Sequence, residues 1–364
     1  MNSTNGGKSR QGRGEGRPTV ADVARKAGVS PMTVSRVVNA EGNVLAKTRE
    51  KVQAAIAALG YVPNSAARTL AAGQGCRVVL LHSNPSSSYL SEFLKGSLAE
   101  AGPNNVQLQV EQVDGALRPR ALVTKLVAQR VDGVLLPPPL SDRTDLLNAL
   151  GKQGIESAQI ATGKPASFAH AVTIDDRAGA RAMTQHLLES GHRRIGFVIG
   201  NVNQTASALR REGFLEACAE AGVKVKPGWV VQGDFTYRSG LLAAEQLLRG
   251  HERPTAIFAS NDDMAAGAVA VAHRAGLDVP SDLSICGFDD TPLATTLWPE
   301  LTTVRQPVAQ MAGLALSLLA EAIRSRGRGQ PPRVVQHQLP FELVHRESVA
   351  APPAQLRKGR WSRR

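Results

Sequence analysis

From Arg77 onward, short β-branched or leucine-rich runs alternate with amphipathic segments, and this alternation restricts the fold more than any other feature of the 364 residues. Runs at 78–81, 106–110, 133–136 and 157–161 read as strands, with helical periodicity near 90–101, 119–130 and 142–152 between them. A second cycle follows, with strands at 195–199, 230–231, 256–258 and 284–288 and helices near 177–190, 207–221, 238–249 and 262–275. Strands that alternate with helices at this period form βαβ units and parallel sheets covered on both faces. Two cycles therefore predict an α/β body of two doubly wound lobes. Such lobes hold ligands beyond the carboxyl ends of their strands, here in the cleft between them. A final helix at 308–323 and strands near 333–345 are expected to cross back between the lobes.

Residues 20–73 have a different texture. If residues 31–39 are helical, Val34, Val37 and Val38 share one face, while Met32, Ser35, Arg36 and Asn39 form a polar comb on another. Ser30 suits the N-cap and Pro31 the first helical position. The preceding Thr19-Val20-Ala21-Asp22 has a capping-box pattern, and Gly28 can adopt the left-handed backbone that stops a helix. Two short helices joined by a tight turn make a helix-turn-helix. The side chains of Arg36 and Asn39 match the edges of guanine and adenine in a major groove. An ordinary helical pair with a solvated face fits the same spacing. A third helix near 46–59 ends at Gly60, and Asn64 caps a last segment, 65–72, too short to be a stable helix in isolation. Leu70 within it is either a wedge for a minor-groove base step or part of a plain linker.

The length fits about two or three domains, and 42% hydrophobic with 20% charged residues fits a globular protein with a sizeable core. The N-terminus lacks the apolar region of a secretory signal, and no run approaches a membrane span, so the protein is expected in the cytoplasm. The net charge of +12 is located at the ends: residues 1–17 carry +3, 18–73 carry +4 and 351–364 carry +5, leaving 74–350 neutral. That places phosphate contact at the N-terminal module, while the tails serve solubility or salt-dependent DNA binding. Cys76, Cys218 and Cys286 are too scattered for a disulfide framework or metal site and read as buried thiols. His186 and His192 have no plausible metal partner in sequence. No cofactor loop or nucleophile arrangement appears. Asp289 and Asp290, adjacent on an extended strand end, would point opposite ways rather than act on one substrate. The chain is read as a binding protein without cofactor or catalytic residues.

The run from Thr19 through Gly28-Val29-Ser30, Thr33-Val34-Ser35-Arg36-Val37-Val38-Asn39, Lys47-Thr48-Arg49, Gly60-Tyr61-Val62-Pro63-Asn64 and Ala67 to Leu70 resembles the LacI/GalR family of bacterial repressors. The likeness continues at Gly191-His192-Arg193-Arg194, Arg210-Arg211-Glu212-Gly213-Phe214, Ser260-Asn261-Asp262-Asp263 and Gly287-Phe288-Asp289-Asp290. The resemblance implies a homodimer whose heads read the half-sites of a palindromic operator. By position, Met32, Ser35, Arg36 and Asn39 would face bases, with Thr19, Ser30, Lys47, Thr48 and Tyr61 toward the phosphates. Asn64, Ala67 and Leu70 would belong to a hinge helix in the minor groove. The lobes would be of the type I periplasmic-binding-protein kind, with a small sugar or sugar derivative held by Arg210, Phe235, Asn261 and Asp289, and Asp176 nearby. A carboxylate that accepts two hydroxyl protons, a fixed guanidinium fork and an aromatic face suit a sugar ring. On chemistry alone, Asp289-Asp290 also fits a loop cap and Arg210 a surface ion pair. The expected organisation is a basic tail at 1–17, a DNA-binding domain at 18–63, a hinge at 64–75, an effector and dimerisation domain at 76–347 and a second tail at 348–364. A sugar-binding transport-type protein shares the lobes but has no use for residues 18–73.

Overall fold

The structure, a computed structural model, describes residues 18–38, 44–61, 75–83, 86–113, 118–249, 252–330 and 333–354. The chain divides between Gly75 and Cys76 into two compact units. Asn39, Asn64, Ala67 and Leu70, named above for DNA contact, lie outside the described residues, as do 1–17 and 355–364.

The first unit contains α1 (Val20–Ala27), α2 (Pro31–Val38) and α3 (Ala46–Leu59). Val23, Ala24, Val34, Val37, Val52 and Ala55 form its buried centre. Gly28 at φ 66° and Gly60 at φ 57° end α1 and α3 in the left-handed conformation, where a side chain would be strained.

The second unit begins with β1 (Cys76–His82), α4 (Ser87–Ala101), β2 (Val106–Gln112), α5 (Pro119–Ala128), β3 (Gly133–Leu136), α6 (Thr144–Lys152), β4 (Glu156–Ile160) and β5 (His170–Thr173). It continues through α7 (Asp176–Glu189), β6 (Ile195–Ile199), α8 (Thr205–Glu220), β7 (Val230–Gln232), α9 (Tyr237–Leu248), β8 (Ala256–Ala259), α10 (Asp262–Arg274) and β9 (Ser284–Cys286). After α11 (Leu293–Thr296) come β10 (Thr303–Arg305), α12 (Val308–Gly327), β11 (Gln336–Gln338) and β12 (Glu342–Val344). The first lobe holds a six-stranded sheet ordered β11-β5-β4-β3-β1-β2, and the second a four-stranded sheet ordered β7-β6-β8-β9. Pairing within both is parallel, in keeping with the continuous buried runs of central strands such as β3 and β8.

The chain passes between lobes three times: from β5 to α7, from β10 to α12, and from β11 to β12. The second and third passes are tied together where β10 pairs antiparallel with β12. A hydrophobic cluster extends through both lobes, from Leu80 and Phe93 in the first to Phe197, Phe214 and Phe258 in the second. The three cysteines are buried thiols. No described helix is long and apolar enough to cross a membrane.

Three features differ from the sequence reading. The strands β5 and β10 were not foreseen. The strand expected over 284–288 stops at Cys286, because Asp289 and Asp290 take φ of 110° and 56° and turn the chain away. Residues 348–354, expected in the C-terminal tail, pack on the body. Ser348 is buried, donates to the Ile285 carbonyl at 2.6 Å and accepts from the Thr302 amide at 2.8 Å. The buried His192 ring nitrogen Nε2 lies 2.8 Å from the Ala350 carbonyl.

Candidate functional site

The first unit presents a helix by an interlocking set of caps. Thr19 Oγ accepts from the Asp22 amide at 3.3 Å, and the Asp22 carboxylate accepts from the Thr19 amide at 3.0 Å, a complete capping box. Hydrogen bonds from Thr19 hold the Asp22 carboxyl below its usual range. Ser30 Oγ accepts from the Thr33 amide at 3.1 Å and fixes the start of α2. Val34 and Val37 point into the centre, so Met32, Ser35 and Arg36 stand exposed on the other side of α2, Met32 at 66% of its surface. Lys47 is exposed, while Thr48 and Tyr61 are half-buried. A short helix seated by an apolar face and offering an unburied arginine fits the dimensions of a major groove.

In the second unit, strand order reverses at β1 in one sheet and at β6 in the other, the positions where α/β sheets open a crevice. The loops beyond these strand ends line a narrow cavity of about 20 Å³. Arg210, on α8, is at its centre and 4% exposed. Its Nε donates to Asp176 at 2.8 Å, and one terminal nitrogen donates to the Ser260 carbonyl at 2.6 Å and to Asp289 at 3.4 Å. The guanidinium also lies 3.6 Å from the centre of the Phe288 ring, a cation–π contact. Gly213, one turn along α8, permits this arrangement: a Cβ there would collide with the Arg177 carbonyl, so only glycine lets α8 approach the start of α7, where Asp176 sits.

Asn261 has two structural duties. Its Oδ1 caps α10 by accepting from the Met264 amide at 3.0 Å, and its Nδ2 donates to the Phe235 carbonyl at 3.1 Å. The second bond steadies Phe235 at φ 71°, a conformation rarely taken by an aromatic residue. The Phe235 ring fills the space over Gly200, where a side chain would overlap it. Asp289 accepts from the Gln306 side-chain amide as well as from Arg210. Burial pushes its carboxyl up to about 7, opposed by Arg210 and Gln306. Burial likewise raises the Tyr89 hydroxyl, with the Asp289 charge adding to it.

Two polar ties close the cleft. Ser86 of the first lobe donates to Asp263 of the second at 2.6 Å. Asp142 of the first lobe accepts from the Thr205 amide and hydroxyl, each at 2.8 Å, and from Thr162 at 2.6 Å; Thr205 Oγ in turn accepts from the Gly163 amide at 2.7 Å.

Residues 19–64 match the family model described as "Bacterial regulatory proteins, lacI family", and residues 184–349 match that of a periplasmic binding protein-like domain. Catabolite control protein A of Priestia megaterium is 36% identical over 308 residues, covering 83% of this chain and 92% of that protein. The chain belongs to the LacI family. Among solved structures, the transcriptional regulator CelR–cellobiose complex is 33% identical with a TM-score of 0.68, over 91% of this chain and 100% of that one. The Lac repressor dimer bound to operator and the anti-inducer ONPF is 29% identical with a TM-score of 0.72, over 92% and 100%. This LacI-family chain is accordingly a DNA-binding transcriptional regulator with a ligand-binding α/β body.

Of the five cleft residues named from sequence, Arg210, Phe235, Asn261 and Asp289 line the cavity. Asp176 stands behind Arg210 and aims it. Ser86, Tyr89, Gln204 and Gln306 also line the cavity and were missed. Gln306 gives no chemical signal by itself in the sequence. Asp290 does not share the cleft. It faces Arg305 at 2.7 Å and Arg346 at 2.7 Å, so the adjacent carboxylates do point apart.

Proposed function

We propose that this LacI-family regulator represses carbohydrate-utilisation genes and is released from, or held on, its operator by a small sugar bound between the lobes. The observation that carries this reading is the convergence of Arg210, Asp289, Asn261 and the Phe235 ring on one cavity. Together they offer a fixed donor fork, a carboxylate that accepts two hydroxyl protons and a flat apolar face, the set a sugar ring uses. The cellobiose of the CelR complex is in keeping with that choice.

On this reading, Met32, Ser35, Arg36 and Asn39 face bases, and Thr19, Ser30, Lys47, Thr48 and Tyr61 face phosphates. Asn64, Ala67 and Leu70 belong to a hinge that pairs in the minor groove of a homodimer on a palindromic site. The limits are a DNA-binding domain at 18–63, a linker at 64–75 and an effector domain from 76 to about 354. The protein works in the cytoplasm and catalyses no reaction. A transport-type binding protein is disfavoured because residues 19–64 match a DNA-binding family. Ligand binding controls DNA affinity to the extent that it favours one arrangement of the lobes over another.

The test is a footprint of the promoter the protein protects, followed by a screen of neutral sugars, cellobiose and ribose among them, for a change in operator affinity. The Asp289→Ala protein is expected to bind the operator normally and to lose the response. A retained response would remove Asp289 from the effector site.

A further inference from the structure

Among the described residues lining the cleft, Arg210 is the one cation, and its charge is already committed. Asp176 takes its Nε at 2.8 Å, and Asp289 shares a terminal nitrogen with the Ser260 carbonyl. A third carboxyl, Asp263, is attached to the cavity wall through Ser86 at 2.6 Å. The other polar groups on the wall are neutral: Ser86, Tyr89, Gln204, Asn261 and Gln306. Two buried carboxyl groups thus share one guanidinium, a third stands half-buried behind Ser86, and the charge left over is negative. The elevated Asp289 carboxyl, raised by burial with Asp263 and Asp176 adding to it, reflects the same excess.

We propose that the effector is an uncharged polyhydroxylated ligand, and that this cleft rejects the corresponding sugar phosphates and sugar acids. The proposal rests on the cleft being the effector site, and it specifies the ligand class within that reading. A hydroxyl-rich neutral ligand meets acceptors in Asp289 and the amide oxygens, and donors in Asn261, Tyr89 and the remaining Arg210 hydrogens. It leaves the Arg210–Asp176 pair intact. An anionic ligand has no free cation to meet. It must either displace a carboxylate from Arg210, leaving a buried charge unpaired, or lie a few ångströms from Asp289 and Asp263. For unit charges about 6 Å apart in a partly buried site, that repulsion corresponds to roughly a hundredfold in affinity.

Isothermal titration of the full-length protein at pH 8 tests this with matched pairs: D-glucose against glucose 6-phosphate and gluconate, D-ribose against ribose 5-phosphate, and cellobiose against cellobionate. Binding is expected within the neutral set, with each charged counterpart of a binder weaker by about a hundredfold or more. Asp263→Asn should narrow that gap to about tenfold, because it removes one carboxylate while keeping an oxygen for Ser86 to donate to. A charged sugar that binds as tightly as its neutral partner, or an unchanged gap in Asp263→Asn, overturns the proposed charge selection while the cleft remains the effector site. Absence of any titration across both sets, together with an operator affinity that no sugar alters, overturns the cleft reading and this proposal with it.

Discussion

Asp289 combines three conditions that rarely meet in one carboxyl group: it is 6% exposed, faces one shared arginine, and sits on a left-handed backbone that turns it into the cleft. Burial moves its ionisation up to about 7, with Arg210 the largest opposing influence. The sign for ligand binding follows. Accepting two hydroxyl protons requires the carboxylate, so a neutral polyol binds the ionised form, and affinity rises as pH increases through 7. Between pH 6 and pH 8 the ionised fraction rises about tenfold, so the dissociation constant should fall by about that factor. Asp289→Asn should bind weakly at both pH values and show a flat profile. Titration calorimetry at the two pH values checks this, and equal wild-type affinities would mean the carboxyl is not an acceptor for the ligand. In the absence of ligand the same shift favours folding at low pH and loses that contribution as pH rises through 7. The sequence is enough to place the Asp289 side chain at the cleft, where it lines the cavity. Its backbone is not legible there, since Gly287-Phe288-Asp289-Asp290 reads as the end of an extended strand and nothing in the letters announces two successive positive φ angles.

At the scale of elements, the helix-turn-helix was the most legible part of the chain because its signals are local. Thr19, Asp22, Gly28, Ser30 and Pro31 each constrain the backbone within one turn; α1 begins and ends, and α2 begins, where those residues put them. Short strands are the opposite case. The four residues of β5 and the three of β10 carry no alternating pattern, and what makes them strands is pairing with β4 and with β11 and β12, the last two distant in sequence. Tyr89 and Gln306 were hidden for a related reason: topology, not a motif, brings the start of α4 and the residue after β10 to one cavity. The head has little packing in reserve, with Val34 fully buried against Val23 and Val52. Val34→Ala should cost the first unit about 2 kcal/mol. It should weaken operator binding while sugar binding by the second unit stays unchanged, as the two are separate compact units. Arg36→Ala should leave the fold alone and cost about 1–3 kcal/mol of specific affinity, with little effect on random DNA. Gel shifts on operator and scrambled duplexes separate the two effects: equal losses on both duplexes for Arg36→Ala would place that side chain on phosphate, not on a base.

For the molecule as a whole, the two lobes are joined by three crossing segments and by the ties that span the cleft. Asp142 gathers the Thr205 amide, the Thr205 hydroxyl and the Thr162 hydroxyl, and the Gly163 amide returns a bond to Thr205 Oγ. The contact is close enough that a side chain at Gly163 would collide with Leu209. A ligand entering so narrow a cleft has to part these groups, and the closed state regained around it benefits from the same bonds. Thr205→Val keeps the side-chain shape and the backbone bond to Asp142, but removes the hydroxyl from both of its partners. Asp142 then loses a donor contact and the Gly163 amide loses its acceptor, a change worth about 0.5–1.5 kcal/mol for such half-buried groups. That energy is taken from the closed arrangement only, so the free protein shifts toward open lobes. Sugar affinity should weaken by up to the same factor, because the competent state is less populated. Small-angle scattering of the effector domain should show a larger radius of gyration in the free variant and recovery of the wild-type value at saturating sugar. A variant as compact and as tight-binding as the wild type would assign closure to the crossing segments and the Ser86–Asp263 tie instead of to the Asp142 cluster.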